Sequence, residues 1–290
     1  MKNALLAVLA VVSLAVAAVA QDKKDEKAAG KPDIPCDLTH RSRSGESVFY
    51  DVIIDVKSGF GSYQNIYTIE TRGLRPNKDG SMQVSITLHR LRETNIVGKE
   101  KTVFDSSQTA GRDEDEEYGA IRKILGKNLC SANVAPTGEV SRLIFSEDAD
   151  VLWKKEGSQT LGRARDYLGQ ILVRLPGKIA KVGDTWEEER NPVGEQIPFS
   201  LKMKHKLAAF DPKTGLATVS LAEKPTAGKS DMNITKSEIG EFTENVVVDC
   251  VNFRMVSLDF SGKMKARSGE GDIAVETTYD LKMSVKTRGQ

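Results

Sequence analysis

Asp272 to Lys286 reads "DIAVETTYDLKMSVK", and its pattern sets the class of the fold. Ile273, Val275, Tyr279, Leu281, Met283 and Val285 share one parity, while Glu276, Thr278, Asp280, Lys282 and Lys286 share the other. A strand turns successive side chains to opposite faces, so this spacing predicts one long strand with one packed face and one wet face. It is longer than the usual strand of about 5 or 6 residues.

The same alternation appears at Val48, Tyr50, Val52, Ile54 and Val56, and again at Met82, Val84, Ile86 and Leu88. Beyond Gly177 it recurs in Thr185 to Arg190, Phe199 to Phe210, Leu216 to Glu223, Glu244 to Phe253 and Arg254 to Lys265. Sheets with one face packed and one solvated are antiparallel.

Between these β-rich ends the period changes. "DEDEEYGAIRKILGKN" (113–128) sets Tyr118, Ile121 and Leu125 on one helical face, with acids in its first turn and Gly126 at its end. "SEDADVLWKKEG" (146–157) has Ser146 as N-cap and Gly157 as stop, and "TLGRARDYLGQILVRLPG" (160–177) carries an apolar stripe through Leu168 and Leu172 to a stop at Pro176. A hairpin turning at Pro136-Thr137-Gly138 separates the first helix from the second. The expectation is an α+β fold, a curved antiparallel β-sheet with central helices packed on one face, as a single domain over residues 44–290.

The N-terminus carries Lys2, an apolar run from Ala4 to Ala20, and Ala18-Val19-Ala20 before Gln21. That is the layout of a secretory signal peptide cut after Ala20, giving an exported protein, periplasmic or extracellular. Residues 21–43 begin charged, small and proline-punctuated, as a disordered lead-in would. Cleavage takes Lys2 from the 42 basic residues and leaves 41 against 41 acidic, a balance that gives no electrostatic reason to seek nucleic acid. In an oxidising compartment Cys36, Cys130 and Cys250 make one disulfide and one spare thiol, with the pairing open.

The inventory of chemistry is thin. Around Trp186, "VGDTWEEE" (182–189) offers Glu187 and Glu189 as an acid and base pair, carboxylates such as Asp184 and Glu187 for a hydrolase, or simply a turn that launches a strand. Asp113 to Glu117 fails as a calcium loop, because Tyr118 stands where glycine is needed and Ile124 where glutamate is needed. "GKS" at 228–230 lacks the leading glycine of a phosphate loop. His40, His89 and His205 have no zinc-ligand spacing, and no cofactor is indicated. His205 shares parity with Phe199, Leu201, Met203 and Leu207, so it belongs on an apolar face.

The signal peptide, the "PTGEV" hairpin (136–140) and the run from "LP" to "VGDTW" (175–186) resemble a family of secreted bacterial proteins that carry a domain of unknown function. The resemblance covers Ser44 to the end and rests on those short motifs. It implies a curved antiparallel sheet embracing helices, similar to the folds of periplasmic lipoprotein carriers, and it brings no catalytic residues.

These readings converge on a non-enzymatic envelope protein that binds a lipid or other apolar ligand, or an envelope protein partner. The expected ligand position is between sheet and helices, near His205, Tyr279, Leu168 and Leu172. A structural or assembly factor without a pocket and the carboxylate hydrolase are the rivals.

Overall fold

A computed structural model describes residues 34–109, 116–147, 149, 169–193, 197–230, 234–268 and 274–288. The expected signal peptide and the expected lead-in as far as residue 33 lie outside the described residues, as do most of the second and third expected helices.

In chain order the elements are β1 (Cys36–Leu38), β2 (Ser47–Ser58), β3 (Gly61–Pro76), β4 (Met82–Val97), β5 (Glu100–Asp105), α1 (Glu116–Ile124), β6 (Asn128–Val134), β7 (Val140–Phe145) and β8 (Lys178–Ala180). There follow β9 (Thr185–Arg190), β10 (Leu201–Asp211), β11 (Leu216–Leu221), β12 (Thr226–Ala227), β13 (Ile234–Asp249), β14 (Arg254–Ser268) and β15 (Val275–Thr287). Thirteen strands make one antiparallel sheet in the order β12-β10-β11-β13-β14-β15-β2-β3-β4-β6-β7, with β5 beside β4 and β9 beside β10. A separate pair joins β1 to β8, so Cys36–Leu38 is strand rather than part of a lead-in.

This corrects the expected α+β class: the chain is mostly β, and among the described residues no layer of central helices is present. Among the described residues, helix is confined to α1 and to short pieces at Glu147, Ala149 and Gly169–Ile171. The third stripe leaves helical geometry at Leu172, four positions before Pro176, and has no regular secondary structure from there to Pro176. The reason is length. β3, β4 and β13 are each 16 residues long, and together the strands bury more apolar surface than nine residues of α1 can.

Inward residues along the strands follow the period of two. Val52, Ile54 and Val56 of β2, Tyr67 and Ile69 of β3, Leu258 and Phe260 of β14, and Leu281, Met283 and Val285 of β15 are all buried in one apolar cluster. Bulges at Leu207/Ala209, Ile239/Phe242 and Thr68/Ile69 bend the strands that carry it. Ile121 and Ile124 of α1 and then Ile171, Val173 and Leu175 pack on that inner face. Among the described residues no helix is long and apolar enough to cross a membrane.

Candidate functional site

Alternation along β9 decides what faces inward. Trp186, Glu188 and Arg190 are partly buried while Thr185, Glu187 and Glu189 are exposed, and the register pairs His205 with Trp186, Met203 with Glu188 and Leu201 with Arg190. Since Leu201, Met203 and His205 are fully inward on β10, the acid of β9 that enters the core is Glu188.

There it meets three other charges. His205 Nε2 lies 2.9 Å from Glu188 Oε2, and His205 Nδ1 lies 3.1 Å from Glu244 Oε2 on β13. Arg190 donates to Glu244 from Nη2 at 2.5 Å and stands 3.5 Å from Glu188 through Nε. The Nδ1 contact is close but poorly aligned, so it acts through charge rather than as a full hydrogen bond. Trp186 covers the imidazole, with ring centroids 5.7 Å apart.

Burial alone would strip the charge from these groups, since solvation is lost. Burial pulls the His205 pKa down, but the hydrogen bond to Glu188 and the charges of Glu188 and Glu244 overcome it and raise it to about 9. Burial likewise pushes Glu244 up, and Arg190 with His205 brings it below the ordinary glutamate range. At neutral pH Glu244 is therefore a carboxylate facing two cations, His205 and Arg190.

The two short sequence motifs meet beside this quartet. Leu175 N–H donates to the Thr137 carbonyl at 2.9 Å, Arg174 pairs with Glu139 at 2.8 Å, and His40 N–H donates to Pro136 at 2.7 Å. Gly138 (φ 81) and Gly177 (φ 65) sit at the contact, where a Cβ would come within 2.7 Å of the His40 ring or of the Thr137 methyl. The strand then locks on: Trp186 Nε1 donates to the Arg174 carbonyl at 2.9 Å, and Arg190 reaches the Gly169 carbonyl at 3.4 Å. A cleft of about 440 Å³ remains between them, walled by Glu139, Arg142, Leu172, Arg174, Glu188 and Arg190. His40 Nε2–H donates to the Val173 carbonyl at 2.6 Å, and burial lowers the pKa of its ring, which keeps it neutral.

A cross-strand row carries the inner face away from the quartet. Glu244 is opposite Phe260, Phe260 opposite Met283, Met283 opposite Ile54, Ile54 opposite Asn65 and Asn65 opposite Glu93. The row is therefore charged at one end, apolar in the middle and polar at the other, where Tyr63 donates to Glu93 at 3.3 Å. Toward the strand ends, Phe242 lies over Gly262 and edge-on to Phe260 at 5.5 Å, and Tyr279 is opposite Met264. Phe242, Tyr279, Ile239 and Tyr63 are only partly buried there.

Of the residues chosen from sequence, His205 is inside the charge quartet, Leu172 is on the cleft wall, and Tyr279 is at the half-buried aromatic end. The structure does not bring His205 and Tyr279 into one site. β10 and β15 are four strands apart in the sheet order, or roughly 19 Å at about 4.8 Å per strand. Leu168 lies outside the described residues. Asp184 closes a turn by accepting from Lys181 N–H at 2.9 Å, and Glu187 and Glu189 face outward opposite Lys204 and Lys202. Sequence reasoning passed over Glu188, Arg190 and Glu244. The signal for the first two was present: if Trp186 points into the core, so must every second residue after it.

Among the described residues no group of three or more His, Cys, Asp or Glu is arranged to hold a metal ion. Comparison with known proteins finds no matching family model and no match among curated proteins.

Proposed function

We propose that this chain is an exported, non-enzymatic binding protein of a bacterial envelope, which holds an apolar ligand against the inner face of its sheet. The observation that carries the reading is the aromatic end, where the large side chains Phe242, Tyr279, Ile239 and Tyr63 stay half-buried on the inner face. Large apolar side chains left partly open inside a fold are a binding surface in want of an occupant. Asn65 and Glu93 supply buried polar groups two positions away, and the Asn65 side-chain oxygen has no hydrogen-bond partner. A ligand with an apolar body and a hydrogen-bond donor fits that pair. The quartet supports the non-enzymatic part of the reading: His205 is fully enclosed, and its nitrogens face carboxylates rather than a cleft. The resemblance to secreted proteins with lipoprotein-carrier-like folds points the same way.

Titration with an environment-sensitive apolar fluorophore tests the proposal. Saturable binding by the folded protein, weakened at least about tenfold by Tyr279→Asp with an unchanged melting temperature, is expected, since a charge on an apolar contact costs more than 1.4 kcal/mol. Absence of saturable binding, or binding indifferent to Tyr279→Asp, would give the structural or assembly reading the lead.

A further inference from the structure

β1 belongs to a two-stranded sheet and has no backbone pairing with the main sheet. Something else must fix it there. Cys36 opens β1 and is buried, while Cys250 follows directly on β13, is half-buried and packs on the same apolar cluster. Around them the two segments are already joined. Arg41 N–H donates to the Phe253 carbonyl at 3.3 Å, its guanidinium covers the Phe253 ring at 4.3 Å, and Phe253 is held at φ 55, a costly conformation for a side chain with a Cβ. Cys250 N–H is fixed by the Gly215 carbonyl at 2.9 Å. Between these anchors the two thiols are close enough to interact directly. Cys130 stands on β6 opposite Ile86, six strands from β13 in the sheet order, and is fully buried.

From the Arg41–Phe253 junction and the two thiols it brings together we infer that Cys36 and Cys250 are a disulfide-forming pair, which fastens β1 to the main sheet, and that Cys130 is the spare thiol. The inference uses the export reading only for the supply of oxidant. The co-reactant is a small or protein disulfide, RS–SR. One cysteine thiolate attacks one of its sulfurs, giving a mixed disulfide and releasing RSH. The second cysteine thiolate then attacks the protein sulfur of that mixed disulfide, which forms the Cys36–Cys250 bond and releases the second RSH. Two electrons pass from the cysteine pair to the oxidant, and both cysteine protons end on the released thiols. The interaction with Cys250 favours the Cys36 thiolate, so Cys36 is the readier first attacker. Burial pushes the Cys130 thiol up to about 12, leaving it unreactive in the folded chain.

The full-length purified chain, reduced, freed of reductant and kept folded, is incubated with oxidised glutathione, then denatured, alkylated and mapped by mass spectrometry. The expected product is about 2 Da lighter than the reduced chain, with the Cys36 and Cys250 peptides linked and Cys130 alkylated after denaturation. Three alkylated cysteines, a stable glutathione adduct without a link, or any link through Cys130 would overturn the assignment. Ligand binding is not read in this experiment, so its failure would leave the proposed function standing. A second measurement guards against a fold effect: Cys130→Ala should still form the link, and Cys36→Ala should form none while keeping its circular dichroism spectrum.

Discussion

Glu188 Oε2 lies 2.9 Å from His205 Nε2, and that contact joins β9 to β10 through their buried faces. It sits within a hydrophobic wall, where leaving either partner alone costs far more than the pair itself contributes. The stability of the fold should therefore depend on pH in a definite direction. His205 has its pKa raised from 6.5 to about 9 in the folded chain, so its contribution is complete below pH 6.5 and is lost as pH rises through about 9. A shift of that size is worth about 3 kcal/mol, shared with its partners. Glu244 is lowered, so its contribution is present above 4.5 and is lost as pH falls through the folded value, while buried neutral His40 adds a penalty below 6.5. Melting temperature should drop between pH 7 and pH 9.5, and His205→Gln should flatten that limb. A wild-type profile level across this range would contradict a charged His205.

Neighbouring glutamates of β9 give a sharper contrast. Glu188→Gln removes a charge between His205 and Arg190 and should destabilise by about 1–3 kcal/mol, as expected for a buried charged hydrogen bond. Glu187→Gln, on the outer face opposite Lys204, should leave the urea midpoint unchanged. Equal effects of the two substitutions would mean that the strand is in the other register.

Trp186 joins the quartet to the Arg174 segment, so two substitutions separate its packing from its hydrogen bond. Trp186→Phe should cost about 1 kcal/mol for the lost donor to the Arg174 carbonyl. Trp186→Ala should cost roughly 2–4 kcal/mol, less than a fully enclosed tryptophan would, because the indole is only partly buried. Chemical denaturation checks both, and a Trp186→Phe loss as large as that of Trp186→Ala would assign the whole effect to the N–H.

Much of the sheet could be read from parity alone. β9 matches the expected Thr185 to Arg190, and β14 and β15 lie close to their expected bounds. β3 escaped because Asn65 and Thr71 take inward positions, which breaks the apolar count while the backbone still pairs. The helical layer was overweighted for a related reason: the 160–177 stripe is apolar at helical spacing, yet Leu172 to Pro176 is non-helical and its backbone bonds to Thr137, Trp186 and His40. Those are tertiary contacts, which no local period reports. The quartet is of the same kind. Glu244 stands 54 residues from Arg190, and only the strand order brings them together.

Gly262 offers a test that reaches the proposed ligand end. A Cβ at this position would come 2.4 Å from the Phe242 ring, so the ring rests on bare backbone. Gly262→Ala must push Phe242 aside. The cost should be about 1–3 kcal/mol, the usual range for overpacking, and not the larger penalty of a forced backbone, because no positive φ is recorded there. In Phe242→Ala the obstacle is gone, so the added cost of Gly262→Ala should fall to nearly nothing. The coupling in a double-mutant cycle should then be about 1 kcal/mol or more. Displacing the ring also disturbs its edge contact with Phe260, next to Tyr279 and Met264. Gly262→Ala should therefore weaken the apolar fluorophore even where it remains folded. Unchanged probe affinity together with a measured coupling would keep the packing and remove this end of the sheet as the binding surface.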